Sequence, residues 1–226
     1  MAGASTNPIR CYICGKQIVG KYYIDWAGHC VCASHMSTLA HCSICRQFCD
    51  HHAKAIGRGM MACQHCQKYR IEQAEAGKVI QYIQHLYSQT PLGRIEGWQL
   101  KMANAEAMFR LTKDDKARGL AQATGNKYTI YILRDLSQVA FAQVLAHEML
   151  HVYQYARHLT PPQPRYEGFC NLGSYYVLTA IGNPEAKAAI EGLRKDASPI
   201  YGAGFRDMLS CYTSGGWDAA IRHLRG

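Results

Sequence analysis

Two histidines four residues apart enclose a glutamate in His147-Glu148-Met-Leu-His151. On a helix, positions i and i+4 share one face, so both imidazoles can reach one zinc ion while Glu148 overhangs it as a general base. A catalytic zinc needs a third protein ligand and one position open to water. Glu167 meets that need: it lies sixteen residues beyond His151, across a proline-rich turn, where a helical fold-back returns it to the ion. His158 is its rival, but seven residues along the same helix is about 10 Å along the axis, too far to share the ion.

The second chemical signal is four pairs at two-residue gaps, Cys11/Cys14, Cys32/His35, Cys42/Cys45 and Cys63/Cys66. Such a gap lets both side chains of one turn hold an ion about 2.3 Å away, and a second pair completes a tetrahedron. Seventeen residues separate Cys14 from Cys32, and seventeen separate Cys45 from Cys63. Two consecutive structural zinc sites follow, the first with three thiolates and an imidazole, the second with four thiolates. The arrangement resembles a LIM domain, a double zinc module for protein–protein contact. It has a longer linker, Met36–His41, and reads Cys-x2-His where a LIM domain reads His-x2-Cys. His29 with Cys32 would restore the usual order, so His29 stays an alternative ligand. Cys30, Cys49, His51, His52 and His65 read as free side chains.

Composition narrows the class. The 226 residues are 48% hydrophobic, enough to bury a core, and the formal charge is +9. Eight Lys/Arg face two Asp/Glu in residues 1–70, but thiolate-bound zinc offsets part of that charge and no basic stripe or recognition helix is present, so nucleic acid is not the expected partner. The eleven cysteines, nine of them between 11 and 66, read as metal ligands in a reducing compartment. With no apolar run long enough to span a membrane and no signal-like N-terminus, the expected setting is the cytoplasm, without a membrane.

Apolar periodicity marks the elements that must position these groups. Helices are predicted over Ile71–Tyr87, over Ile95–Phe109, over Gln138–His158 with the zinc motif on it, over Tyr166–Ile181, after Asn183-Pro184, and over Trp217–Leu224. Tyr128–Leu133 reads as a strand and Lys113–Lys127 as a loop. The expected architecture is α+β: a tail at 1–10, a LIM-like double zinc module over 11–68, and a mostly helical zincin-like metallopeptidase domain with a short β-sheet over 69–226.

Five segments together resemble the plant DA-type LIM-domain metallopeptidases, which limit organ size, and their smaller microbial relatives. They are Cys32-Ala-Ser-His35, Leu145–His151, Glu167-Gly-Phe-Cys170, Asp196–Arg206 and, more weakly, Arg118-Gly-Leu120. The resemblance implies a peptidase acting on protein substrates in a ubiquitin pathway, with ubiquitin or a ubiquitin-like activator as partner. The ubiquitin-interacting motifs that precede the zinc module in the plant proteins are not in this chain. Tyr201, within the resembling 196–206 segment, is the first candidate for an oxyanion donor and His223 the second; Asp196 either orients a ligand imidazole or caps a turn. Three zinc ions are expected, one catalytic and two structural. The competing expectation is a non-catalytic LIM-type adaptor with a degenerate peptidase domain.

Overall fold

Each half of the cysteine-rich region is a short antiparallel hairpin followed by a single helical turn or two. A computed structural model describes residues 8–226, so the first seven residues of the expected tail lie outside the described residues. Strands β1 (Tyr22–Ile24) and β2 (Cys30–Cys32) lead into α1 (Ala33–Met36); β3 (Lys54–Gly57) and β4 (Met60–Ala62) lead into α2 (Gln64–Lys68). These pieces are too small to hold themselves together by apolar burial alone, which is what metal ligation supplies in such modules.

Helix α3 (Gln73–Ser88) opens with a reciprocal capping box between Glu72 and Glu75. The expected helix over 95–109 is then corrected. Its first half is strand β5 (Trp98–Ala103), and only after the Asn104 cap does a helix, α4 (Ala105–Thr112), begin. Trp98, Leu100 and Met102 alternate with the more exposed Gln99 and Lys101. Ile95, Trp98 and Met102 also satisfy a helical spacing, so the apolar residues alone allowed either period. The expected loop at 113–127 likewise contains strand β6 (Gly119–Thr124), which turns at Gly125 into β7 (Lys127–Leu133). The sheet order is β5-β7-β6, with β5 parallel and β6 antiparallel to β7, so β6 is an edge.

The remaining chain is helical. Ser137 caps α5 (Gln138–Ala156), most of which is buried, and α6 (Gln163–Ile181) folds back against it. Asn183 caps α7 (Pro184–Lys195), with proline at the first helical position. The closing element α8 (Tyr201–Arg225) is two helical segments joined by a kink at Gly215-Gly216: the second matches the helix predicted over Trp217–Leu224, and the first was not predicted. A Cβ at Gly168 of α6 would overlap the Gly204 carbonyl of α8, and one at Gly204 would overlap the Pro164 carbonyl. The two backbones therefore touch directly.

One buried cluster runs from Cys42, Ile44, Met60 and Cys63 through Ile83, Leu136 and Phe141 to Phe169, Met208 and Trp217. The second half of the cysteine-rich region thus shares a core with the helical part, whereas Cys11, Val31 and Phe48 form a small core of their own. Backbone bonds seal the junction: Ile71 N–H donates to Leu136 O and Gln138 N–H to Tyr69 O, each at 2.9 Å. The architecture is α+β, and among the described residues no helix is long and apolar enough to cross a membrane.

Candidate metal centres and active site

Two clusters are formed by the predicted pairs. Ligand atoms of Cys11, Cys14, Cys32 and His35 lie within 4.8 Å of one another, and so do those of Cys42, Cys45, Cys63 and Cys66. Cys42 Sγ is 3.7 Å from Cys66 Sγ, and Cys45 Sγ is 3.5 Å from Cys63 Sγ. Four sulfurs about 2.3 Å from a zinc at tetrahedral angles stand about 3.8 Å apart, so the spacing fits the ion. In the first cluster His35 Nδ1 is 3.1 Å from Cys32 Sγ and 3.7 Å from Cys11 Sγ. His29 is placed elsewhere: its Nδ1 meets Asp25 Oδ2 at 2.9 Å and its ring stacks on Tyr12. Either cluster could hold a zinc ion.

The third group is built on α5 and α6. His147 Nε2 and His151 Nε2 are 3.1 Å apart, and Glu167 Oε2 lies 3.3 Å from the first and 3.5 Å from the second. Three ligand atoms about 2.0–2.1 Å from one ion at tetrahedral angles are about 3.4 Å apart, so this triangle has the size that zinc requires. Burial opposes ionisation of Glu167, but hydrogen bonds from His147 and His151 outweigh it and hold the carboxyl down at about 2. His151 is also drawn upward, well above the usual imidazole value: burial acts against its charge, but Cys170 and Glu167 favour it more. Cys170 comes within reach of both histidines. Its sulfur, however, is 3.4 Å from His151 Nδ1, the nitrogen opposite the one that faces Glu167, and burial raises its thiol to about 11. That places Cys170 behind the imidazole rather than in the triangle.

The far nitrogens are held by side chains the sequence reading did not single out. His147 Nδ1 lies 3.0 Å from Asn171 Oδ1, and His151 Nδ1 lies 3.1 Å from Gln154 Oε1. An amide oxygen facing Nδ1 fixes the tautomer that leaves Nε2 free to ligate. Both amides are anchored in turn, Asn171 Nδ2 to Tyr201 O at 3.3 Å and Gln154 Nε2 to Tyr166 O at 2.9 Å. Asn171 stands one turn beyond Glu167 on α6 and Gln154 three residues beyond His151 on α5, which is the only signal that could have marked them.

Glu148 is buried and faces strand β6. A Cβ on Gly119 would come 2.5 Å from Glu148 Oε1, so only glycine lets the strand pass this close to the carboxylate. Leu133 N–H donates to Arg118 O, and ladder alternation then turns the N–H and C=O of Gly119 and Ala121 away from β7, toward the open edge. The Ala121 carbonyl accepts from Tyr155 Oη at 3.1 Å.

Tyr201 begins α8 beside the triangle: its carbonyl is tied to Asn171, and burial together with the Glu167 charge raises its hydroxyl. His223 is not brought to the same place. Its Nε2 is 2.7 Å from Asp207 Oδ2, and it groups with Asp207 and Cys211 across the bend in α8. Asp196 accepts from Ser198 N–H at 2.8 Å, a turn-capping role; the imidazole of His147 is oriented by Asn171 instead. His65 binds buried Glu185 at 2.7 Å, joining α2 to α7. Comparison with protein-family models, with curated proteins and with solved structures finds no match.

Proposed function

We propose that the chain is a zinc-dependent endopeptidase that cleaves protein substrates, with a LIM-like module built onto the catalytic part. The observation that carries this reading is the triangle of His147 Nε2, His151 Nε2 and Glu167 Oε2 with the Glu148 carboxylate beside it and an open strand edge above. When bound, a zinc ion supplies Lewis acidity that makes water a competent nucleophile near neutral pH and polarises a carbonyl. An extended peptide can pair with the outward N–H and C=O groups of Gly119, which sets its backbone next to Glu148. Glu148 takes the proton of the attacking water and returns it to the departing amine. Tyr201 is the phenol expected to donate to the developing oxyanion. A structural site needs no base between its two histidines, which favours catalysis over the adaptor reading.

Cytoplasmic location, which rests on reading the cysteines as metal ligands, and a ubiquitin-like protein as partner of the module, which rests on the resemblance alone, belong to the same proposal. The test is cleavage of a panel of unfolded and native proteins by the zinc-loaded chain, followed by mass spectrometry, with Glu148→Gln as the comparison. Products that appear with the wild type and vanish with the variant support the reading. Zinc-loaded protein that produces no such fragments leaves the adaptor in its place.

A further inference from the structure

A cleft of about 590 Å³ lies between the second cysteine cluster and the helical part. Its floor is apolar and small, with Ile44 and Met60 on one side and Val139, Ala140 and Ala189 on the other. Seven charged side chains border it, and they are not equally engaged. Asp115 is bound to Arg58 at 2.6 Å, Glu185 is bound to Ser137 and His65, and Asp196 accepts from Ser198 N–H. The other three, Arg46, Lys116 and Arg118, form no ion pair among the described residues. Arg118 makes one side-chain hydrogen bond, from Nη1 to the Ile44 carbonyl at 3.1 Å, with the Cys42 and Cys66 thiolates behind it. The carboxylates of the cleft are therefore all engaged within the fold, whereas its three remaining cations have no carboxylate partner among the described residues.

The cleft also points at the candidate active site. Gln143 borders it, and His147 stands one turn further along the same face of α5. Arg118 borders it too, and the next residue, Gly119, abuts Glu148. A peptide lying along the β6 edge would run into the cleft within a few residues of the bond presented to Glu148.

Resting on the peptidase reading, we propose that this cleft is a substrate subsite that selects acidic side chains, recognised by Arg46, Lys116 and Arg118. One wall of the subsite is the cysteine-rich module, so the module takes part in substrate choice directly. Phosphate-rich chains would also be attracted to these cations, but the cleft is lined in large part by apolar groups and borders, at Arg118, a strand edge suited to a peptide backbone.

The experiment uses the full-length, zinc-loaded protein carrying Glu148→Gln, so that bound peptide is not consumed. Fluorescence anisotropy is measured for a peptide with a Glu-Glu-Glu segment, for its Gln and Lys counterparts, and for a single-stranded oligonucleotide of equal charge. The Glu peptide is expected to bind about tenfold more tightly than the Gln peptide, with the difference shrinking as salt rises. Arg46→Asp and Lys116→Glu together should abolish or invert the order, binding the Lys peptide best; aspartate is chosen because Arg46 has φ 68°. Both positions are exposed, so the fold should survive, and Arg94→Glu, away from the cleft, should keep the wild-type order. Equal binding of Glu and Gln peptides, no response to the double reversal, or oligonucleotide binding as tight as the Glu peptide would each overturn the subsite. The peptidase reading is judged separately, by fragments from a peptide library incubated with wild type: acid-selective binding without any cleavage removes the enzyme and leaves the acidic site.

Discussion

Strand β6 crosses helix α5 so closely that a methyl group on Gly119 would stand 2.5 Å from Oε1 of Glu148 and would overlap Val144 as well. The candidate base is thus positioned by the absence of a side chain. Gly119→Ala should push either the strand or the carboxylate aside. We expect peptide cleavage to fall at least about tenfold, since small displacements of a reacting group are costly, with zinc content unchanged. Overpacking of about 1–3 kcal/mol should lower the melting temperature by several degrees. A variant that cuts at the wild-type rate would refute the role given to this contact.

Glu148→Gln keeps size and burial while removing the base. Zinc content and melting temperature should stay at wild-type values, and cleavage should drop by about a hundredfold to ten-thousandfold. Metal analysis and a peptide assay on the same preparation check both halves.

Glu167→Ala removes an arm of the triangle, and elemental analysis should then find two zinc ions per chain instead of the three expected. Asn171→Leu should keep the ion but weaken its binding about tenfold to a hundredfold, because His147 loses the amide that orients it. Unchanged affinity in both variants would place the catalytic ligands elsewhere.

Acid should loosen the catalytic ion. In the metal-free triangle the surroundings raise His151 well above its ordinary value, so that it holds a proton which zinc must displace. Glu167, held at about 2, stays a carboxylate throughout this range. Each proton released on binding makes affinity fall about tenfold per pH unit as the pH is lowered. Competition with a chelating dye between pH 8 and pH 6 should show that slope, and a flat response would contradict it.

The His65–Glu185 contact should couple the module to α7. A double-mutant cycle of His65→Ala and Glu185→Gln is expected to give an interaction energy of about 0.5–3 kcal/mol in denaturant unfolding. Residues 69–226 alone should aggregate, since Ile44, Met60 and Cys63 cover part of the core that they would expose.

Much of the site was legible because metal ligands come as local patterns. The gap of two residues on a turn and of four on a helix can be read without knowing the fold, and so the clusters at 11–35 and 42–66 and the pair at 147 and 151 stood out. Strand β6 was not legible: Gly119-Leu-Ala-Gln-Ala-Thr124 has a single β-branched residue, and its strand state comes from pairing with β7. Trp98–Ala103 fitted two periods at once. Asn171 and Gln154 carry no pattern of their own, since an amide becomes an orienting group only through the tertiary neighbour that it faces. The first half of α8 was hidden by Gly202 and Gly204, which allow close approach of the backbone at Asp196 and of α6 rather than serving helix propensity.

The touching backbones at Gly168 and Gly204 have a mechanical consequence. Glu167 and Tyr201 are carried by helices that meet with no layer of side chains between them, so the pair has no soft interface on which to slide or hinge. They behave as one jaw of fixed shape. In the proposed peptidase, widening the cleft would then be left to the opposite jaw, where β6 pairs with one strand only, because the second half of the module shares its core with the helical part.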